Sequence, residues 1–250
     1  MELALFAAWC FAVALAGGLV GLVLGNLRLP ATLVVASSAA AGGGANLAIS
    51  AIAALTAASV HARAGRVNWR LVGWMAPPSI AGAVLGGYAA GAVPEGLLLG
   101  AIALVLLYSG IELLVRPPGP PAAPAPAGEE LDLRAAVATG AVIGLLGGLV
   151  GLILGSLRMP ALLRWVGEAP ARAVGTNVTV GMFVGVAGAL AHLPNAAPDL
   201  DAILVGGAAS IPGALLGSRL TGRLSEVQLV RAIAIVLLIA AVGVAAQALT

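Results

Sequence analysis

Apolar residues fill this chain in long runs that short polar turns interrupt. Runs of about 20 residues match the hydrocarbon core of a bilayer crossed as a helix. They lie at 3–25, 45–62, 69–93, 96–115, 135–155, 173–193, 200–221 and 226–248. Shorter apolar pieces at 30–41 and 160–166 follow the first and fifth runs. Residues 116–134, RPPGPPAAPAPAGEELDLR, break the pattern with proline and then acid. That composition predicts an extended, solvated linker. The expected organisation is a membrane repeat at 1–115, the linker at 116–134 and a second membrane repeat at 135–250. The fold class is all-α and polytopic.

Composition removes the soluble alternatives. The chain is 61% hydrophobic and only 9% charged, against about 25% charged residues in a typical soluble domain. Its mean hydropathy is +1.09. Too little polar surface remains to cover a globule, so the missing solvent is lipid. Thirty-five glycines and 4% aromatics suit helices whose backbones approach closely in a bilayer. All 12 basic residues are arginine, and they are scattered between apolar runs with no basic stripe, which excludes nucleic acid as a partner. Cys10 is alone, so neither a disulfide nor a cysteine-based metal site is available. Met1-Glu2-Leu3 has no basic leader, and the first run reads as a first helix rather than a signal peptide. No Ser-His-Asp set, His/Cys cluster or phosphate loop occurs. The expectation is therefore no enzyme and no cofactor.

The two sides of the linker are copies. Residues 17–31, GGLVGLVLGNLRLPA, match 147–161, GGLVGLILGSLRMPA, at 12 of 15 positions. Asn46 and His61 recur as Asn177 and His192, and SIAGAVLGG at 79–87 recurs as SIPGALLGS at 210–218. Many transporters are built from such repeats, with substrate held near the midplane where they meet.

Arg28 and Arg158 are the leading candidates for chemistry. Each sits between a glycine-rich helix end and a proline, as G-N-L-R-L-P and G-S-L-R-M-P. Proline donates no amide and starts a helix well, which predicts breaks at 25–29 and 155–159 and new helices from Pro30 and Pro160. A break at membrane depth survives only inside protein or beside water, and an arginine there marks function by default. Helix N-termini favour anions. A guanidinium beside free amides, with Asn26 and Ser156 in the same breaks, makes an oxyanion site. The competing reading puts both arginines at the membrane surface, snorkelling or bound to lipid phosphate.

Gly42-Gly43-Gly44-Ala45-Asn46 and Gly175-Thr176-Asn177 are candidates for a second wall, with Gly44, Asn46, Gly175, Thr176 and Asn177 against substrate. Ordinary helix capping competes with that role. His61 and His192 end matching helices, where a surface position competes with a role in proton coupling. Glu112 reads as a residue at a helix end.

Two four-run halves, each opening on a glycine-rich stretch and an L-R-L-P-A or L-R-M-P-A break, resemble the TauE/SafE family of sulfite and organosulfonate exporters. AVGTN at 173–177 is similar to that family's A-V-G-T-S/N pattern, and SIPGALLGSRL at 210–220 resembles its seventh segment. The first half departs from the pattern, with AGGGAN in place of A-x-G-T-N. The resemblance implies export of small sulfur-containing anions, such as sulfite or sulfonates, through a bacterial-type inner membrane. The residues alone give the sign of the charge and not the sulfur. A passive anion channel, or a structural or lipid-binding membrane protein that transports nothing, remains the alternative class. A homodimer stays open.

Counting and charge disagree about topology. Four crossings per half would make the halves parallel and scatter the arginines over both faces. If instead the first run and its short partner enter and leave by one face, the halves are inverted. Arg63, Arg66, Arg116, Arg134, Arg172, Arg219 and Arg223 then share a face, and Glu2, Glu95, Asp199 and Asp201 share the other. The positive-inside bias favours that second arrangement. It puts the linker in the cytoplasm and Arg28 and Arg158 at hairpin tips near the midplane.

Overall fold

A computed structural model describes residues 2–89, 94–116, 132–150, 152–192 and 199–248, and every regular element among them is helical. The helices are α1 (Glu2–Val20), α2 (Gly25–Val35), α3 (Ala39–Arg63), α4 (Trp69–Tyr88) and α5 (Glu95–Val115). After the linker come α6 (Leu133–Val150), α7 (Gly155–Arg164), α8 (Pro170–His192), α9 (Leu200–Thr221) and α10 (Glu226–Ala248). Six of them (α1, α3, α5, α8, α9 and α10) contain stretches long and apolar enough to cross a membrane. Most of the linker lies outside the described residues, between Arg116, which closes α5, and Asp132, which accepts from the Ala135 amide at the start of α6.

The breaks fall earlier than the prolines suggest. α1 stops at Val20 instead of continuing to 25, and α2 starts at Gly25 instead of Pro30. In the second half α6 ends at Val150 and α7 starts at Gly155 instead of Pro160. In the first half a distant residue contributes. Pro30 is the sixth residue of α2, where it costs one hydrogen bond, to the carbonyl four residues back. That carbonyl, on Asn26, accepts from Gln247 Nε2 of α10 at 2.8 Å instead. The turn is made by Gly21, whose φ of +69° suits glycine alone and whose vacant side faces the backbone of Val174.

Contacts give each helix a direction. On α1, Phe6 meets Gly206 beside Ile49 of α3, and the Gly18 carbonyl meets His61, so α1 and α3 rise together. α2 runs the other way, because Arg28 reaches Asn46 and Ser50 while Leu33 lies against Gly42. The chain therefore climbs through α1, turns at Gly21 and returns as an extended stretch continued by α2. This descending arm starts its helix beside the middle of α3.

Glycine packing fixes the remaining directions. Gly213 and Gly217 of α9 lie on Phe11, Leu15 and Leu19 of α1, and Gly82 and Gly86 of α4 lie on Ala141, Leu145 and Gly148 of α6. Both pairs run parallel, and both use glycines four apart so that backbones touch. Along α3 and α8, Leu47, Ala51 and His61 meet Gly188, Gly185 and Gly175, which makes that pair antiparallel. Gly96 against Ala248 and Gly110 against Leu238 do the same for α5 and α10. Hence α1, α3, α5 and α9 point one way, and α4, α6, α8 and α10 the other.

These directions sort the charges. Ten arginines, at 63, 66, 70, 116, 134, 164, 172, 219, 223 and 231, fall toward one end of the bundle, with Glu112, Asp132, Glu168 and Glu226. The starts of α1, α5 and α9 bring Glu2, Glu95, Asp199 and Asp201 to the opposite end, where no arginine lies among the described residues. Exposed Trp69 and Trp165 sit at the arginine-rich end and exposed Tyr88 at the other, as interfacial aromatics do.

Enlarging Gly217 should be costly, because a Cβ there meets the Leu15 backbone and backbone cannot swing aside. Overpacking of this kind costs about 1–3 kcal/mol or more. Gly217→Leu and Gly86→Leu should each lower the melting temperature in detergent and broaden the size-exclusion peak. Gly43→Ala, where nothing lies within 4 Å of the added carbon, should do neither.

Candidate functional site

Arg28 and Arg158 occupy the first turns of α2 and α7 and are among the most buried residues in the chain, 2% and 1% exposed. They do not lie at the membrane surface, and they are not at the hairpin tips. They sit one helical turn past the breaks, deep in the bundle. Neither has a carboxylate partner among the described residues, where the ion pairs are Arg164–Glu112 at 3.3 Å and Arg172–Glu168 at 2.9 Å. A buried charge left without a counter-charge carries a penalty of several kcal/mol, to order of magnitude. Dipoles meet part of it.

The dipoles come mainly from the repeated asparagines. Arg28 Nε donates to Asn46 Oδ1 at 3.1 Å, and its Nη2 donates to the Asn46 carbonyl at 3.4 Å and to Ser50 Oγ. Arg158 Nη1 donates to Asn177 Oδ1 at 3.2 Å. Asn177 then donates its Nδ2 to the Gly21 carbonyl at 2.8 Å and to the Gly155 carbonyl at 2.9 Å. One side chain thus ties both breaks together. Val23 lies against Gly155 and Gly181, so the extended arm of the first half crosses the start of α7.

The two arginines are not equivalent. Ser50 is one turn beyond Asn46, and the position one turn beyond Asn177 is Gly181. Val23 fills the space a side chain at 181 would need. Asn46 Oδ1 also takes Nε of its arginine where Asn177 Oδ1 takes Nη1, so Arg158 keeps an Nε that is buried and unpartnered among the described residues; the Asn26 amide Nδ2 is unpartnered there too. Neither Leu24 nor Leu154 caps its helix with a side chain, so no side chain at the cap position satisfies the leading amides of α2 and α7. Ser156 is buried beside Arg158 in the same turn. A cavity of about 20 Å³ borders Arg28 and Ser50, room for roughly one water.

Several expected residues fall elsewhere. Asn46 and Asn177 are not caps but lie inside α3 and α8. Gly44 is buried within α3. Gly175 and Thr176 serve the turn between α3 and α4: Gly175 packs on the Arg66 backbone, and Thr176 Oγ1 accepts from the Asn68 amide at 2.9 Å. Asn68 Nδ2 donates to the buried carboxylate of Glu168 at 2.6 Å, which closes that corner. His61 is not a surface residue. It is fully buried, with Nε2 on the Gly18 carbonyl at 3.1 Å and Nδ1 unpartnered among the described residues. The His192 side chain lies outside the described residues. Glu112 pairs with Arg164 across α5 and α7. Sequence reasoning missed Ser50 and Gln247. Ser50 was findable, four residues past Asn46 on one helical face, but Gln247 bonds a residue 221 positions away.

Arg158→Ala should abolish anion binding, measured by calorimetry, while the protein stays folded. Arg158→Lys should recover little, since a point charge replaces a planar fork. Arg28→Ala should also lower the melting temperature, because it removes three hydrogen bonds between α2 and α3. Undiminished affinity in Arg158→Ala would remove that residue from the site.

A family model described as sulfite exporter TauE/SafE matches residues 5–244. No curated protein and no solved structure matches the chain.

Proposed function

The chain belongs to the sulfite exporter TauE/SafE family, a family of multi-pass membrane transporters, and on that premise we propose that it exports small sulfur oxyanions and sulfonates through a site at the crossing of its two broken arms. The observation that carries this reading is the pair of buried guanidiniums that no carboxylate neutralises among the described residues. Two half-helix N-termini converge beside them and add positive potential. An anion is the missing partner. Its oxygens take the unpartnered donors on Arg158 and Asn26 together with the leading amides.

The halves are inverted repeats in the membrane on this reading, each crossing five times. Opposite helix directions in matching positions support it, and so does the one-sided distribution of arginines, which by the positive-inside bias favours a cytoplasmic linker. The cavity beside Arg28 is too small for sulfite, so loading requires α2 to move against α1 and α3. A site that must open and close belongs to a carrier rather than to a standing pore.

Purified protein in liposomes should move sulfite, sulfoacetate, taurine or thiosulfate, and sulfate less well, with saturable kinetics and without single-channel currents. The transported anion should also raise the melting temperature. A ligand at a hundred times its Kd stabilises by about 2.7 kcal/mol, and chloride at equal ionic strength should leave the curve unmoved. Stepwise current in a planar bilayer would instead indicate a channel, and no flux of any anion would remove the transport assignment. For topology, Ala123→Cys and Thr250→Cys in a Cys10→Ala background should label from opposite faces of intact cells. Labelling from one face would end the inverted arrangement.

A further inference from the structure

Arg66 lies in the turn between α3 and α4, at the arginine-rich end. Its Nη2 donates to the Ser218 carbonyl near the end of α9 at 3.0 Å. Its Nε and Nη1 are buried and meet no acceptor among the described residues, and no described carboxylate pairs with it. Its backbone amide donates to the His61 carbonyl at 2.9 Å, which fixes the turn against the end of α3. His61 in turn holds the Gly18 carbonyl.

Gly18 is also a wall of the cavity at Arg28. The cavity wall includes small residues, Gly17 on α1 and Ala54 and Ala57 on α3, down to Ser50, with Leu22 and Leu24 opposite the α3 face. Ser50, Ala54, Ala57 and His61 follow one another at helical spacing, so they form a single face of α3. The α1–α3 seam thus runs from the Arg66 corner, past buried His61, to the cavity at Arg28. The matching loop of the second half, residues 193–198, has no charged residue in its sequence, and Asp199 and Asp201 follow it. The arrangement is one-sided.

We propose that Arg66 is a second anion site, which takes a small oxyanion at the arginine-rich face before it passes along the α1–α3 seam to Arg28. This rests on the transport reading above and adds a direction to it. An anion is collected where arginine is concentrated and released at the end that carries Glu2, Glu95, Asp199 and Asp201. Unpartnered guanidinium nitrogens suit sulfite, a sulfonate head or a phosphate. A lipid headgroup shares that last chemistry.

Two measurements on the full chain separate these outcomes. In detergent, sulfite titrated into Arg28→Ala/Arg158→Ala should still show one weak site, and adding Arg66→Gln should remove it. Absence of that site overturns the proposal whether or not the protein transports sulfite. In phosphatidylcholine vesicles of known orientation, Arg66→Gln should raise KM about tenfold, the loss of one charge-assisted hydrogen bond. It should do so only for sulfite supplied at the arginine-rich face, with kcat retained. Arg66→Lys should be intermediate, and its melting curve controls for folding. Active wild type with an unchanged KM, or one raised equally on both faces, refutes the capture role and leaves the transport reading standing. Co-purified phospholipid lost in Arg66→Gln, with sulfite binding intact, assigns the corner to lipid and overturns the proposal.

Discussion

Two positive charges held inside an apolar bundle are the constraint around which this protein is organised. Arg28 and Arg158 can be buried only where backbone and side-chain dipoles surround them, and intact transmembrane helices present neither free amides nor free carbonyls at mid-depth. The breaks supply both. Helices α2 and α7 begin beside the arginines, Asn46 and Asn177 answer the guanidiniums, and Asn177 satisfies the carbonyls that the breaks expose at Gly21 and Gly155. The remaining charge has no internal answer among the described residues. That is the physical basis for reading the site as one that takes an anion.

Close packing makes such a centre feasible. Gly21 lets the extended arm pass against Val174, and Gly155 and Gly181 admit Val23. Larger residues there would push the arms apart and let lipid or water reach the unsatisfied backbone. The outer pairs α1–α9 and α4–α6 join each half's opening helix to the fourth helix of the other half. Neither half can therefore close its own opening hairpin, and the crossing exists only when both are present.

Exceptions to the repeat carry as much meaning as the repeat. Ser50 has no counterpart at Gly181, and Asn46 meets Nε of its arginine where Asn177 meets Nη1, so one guanidinium is held by three hydrogen bonds while the other keeps a bare Nε. Arginines gather at one end and acids prevail at the other. A repeated scaffold thus carries a one-sided distribution of charge.

Much of this was legible in the chain. Hydropathy fixed the membrane class, because 9% charge cannot cover a soluble globule. Duplication around the linker identified Arg28 with Arg158 and Asn46 with Asn177, since each recurs within a specific motif. Other features were decided only by packing. The first break moved to 21–24, and there Gln247 relieves the carbonyl that Pro30 deserts, an interaction spanning the whole chain. Local rules could not anticipate it. His61, which polar neighbours make look superficial, is enclosed because α1 brings Gly18 onto it. Sequence spacing determines which residues share a helix face. Which face meets which depends on where glycines let two backbones touch, and that is a property of the assembled bundle.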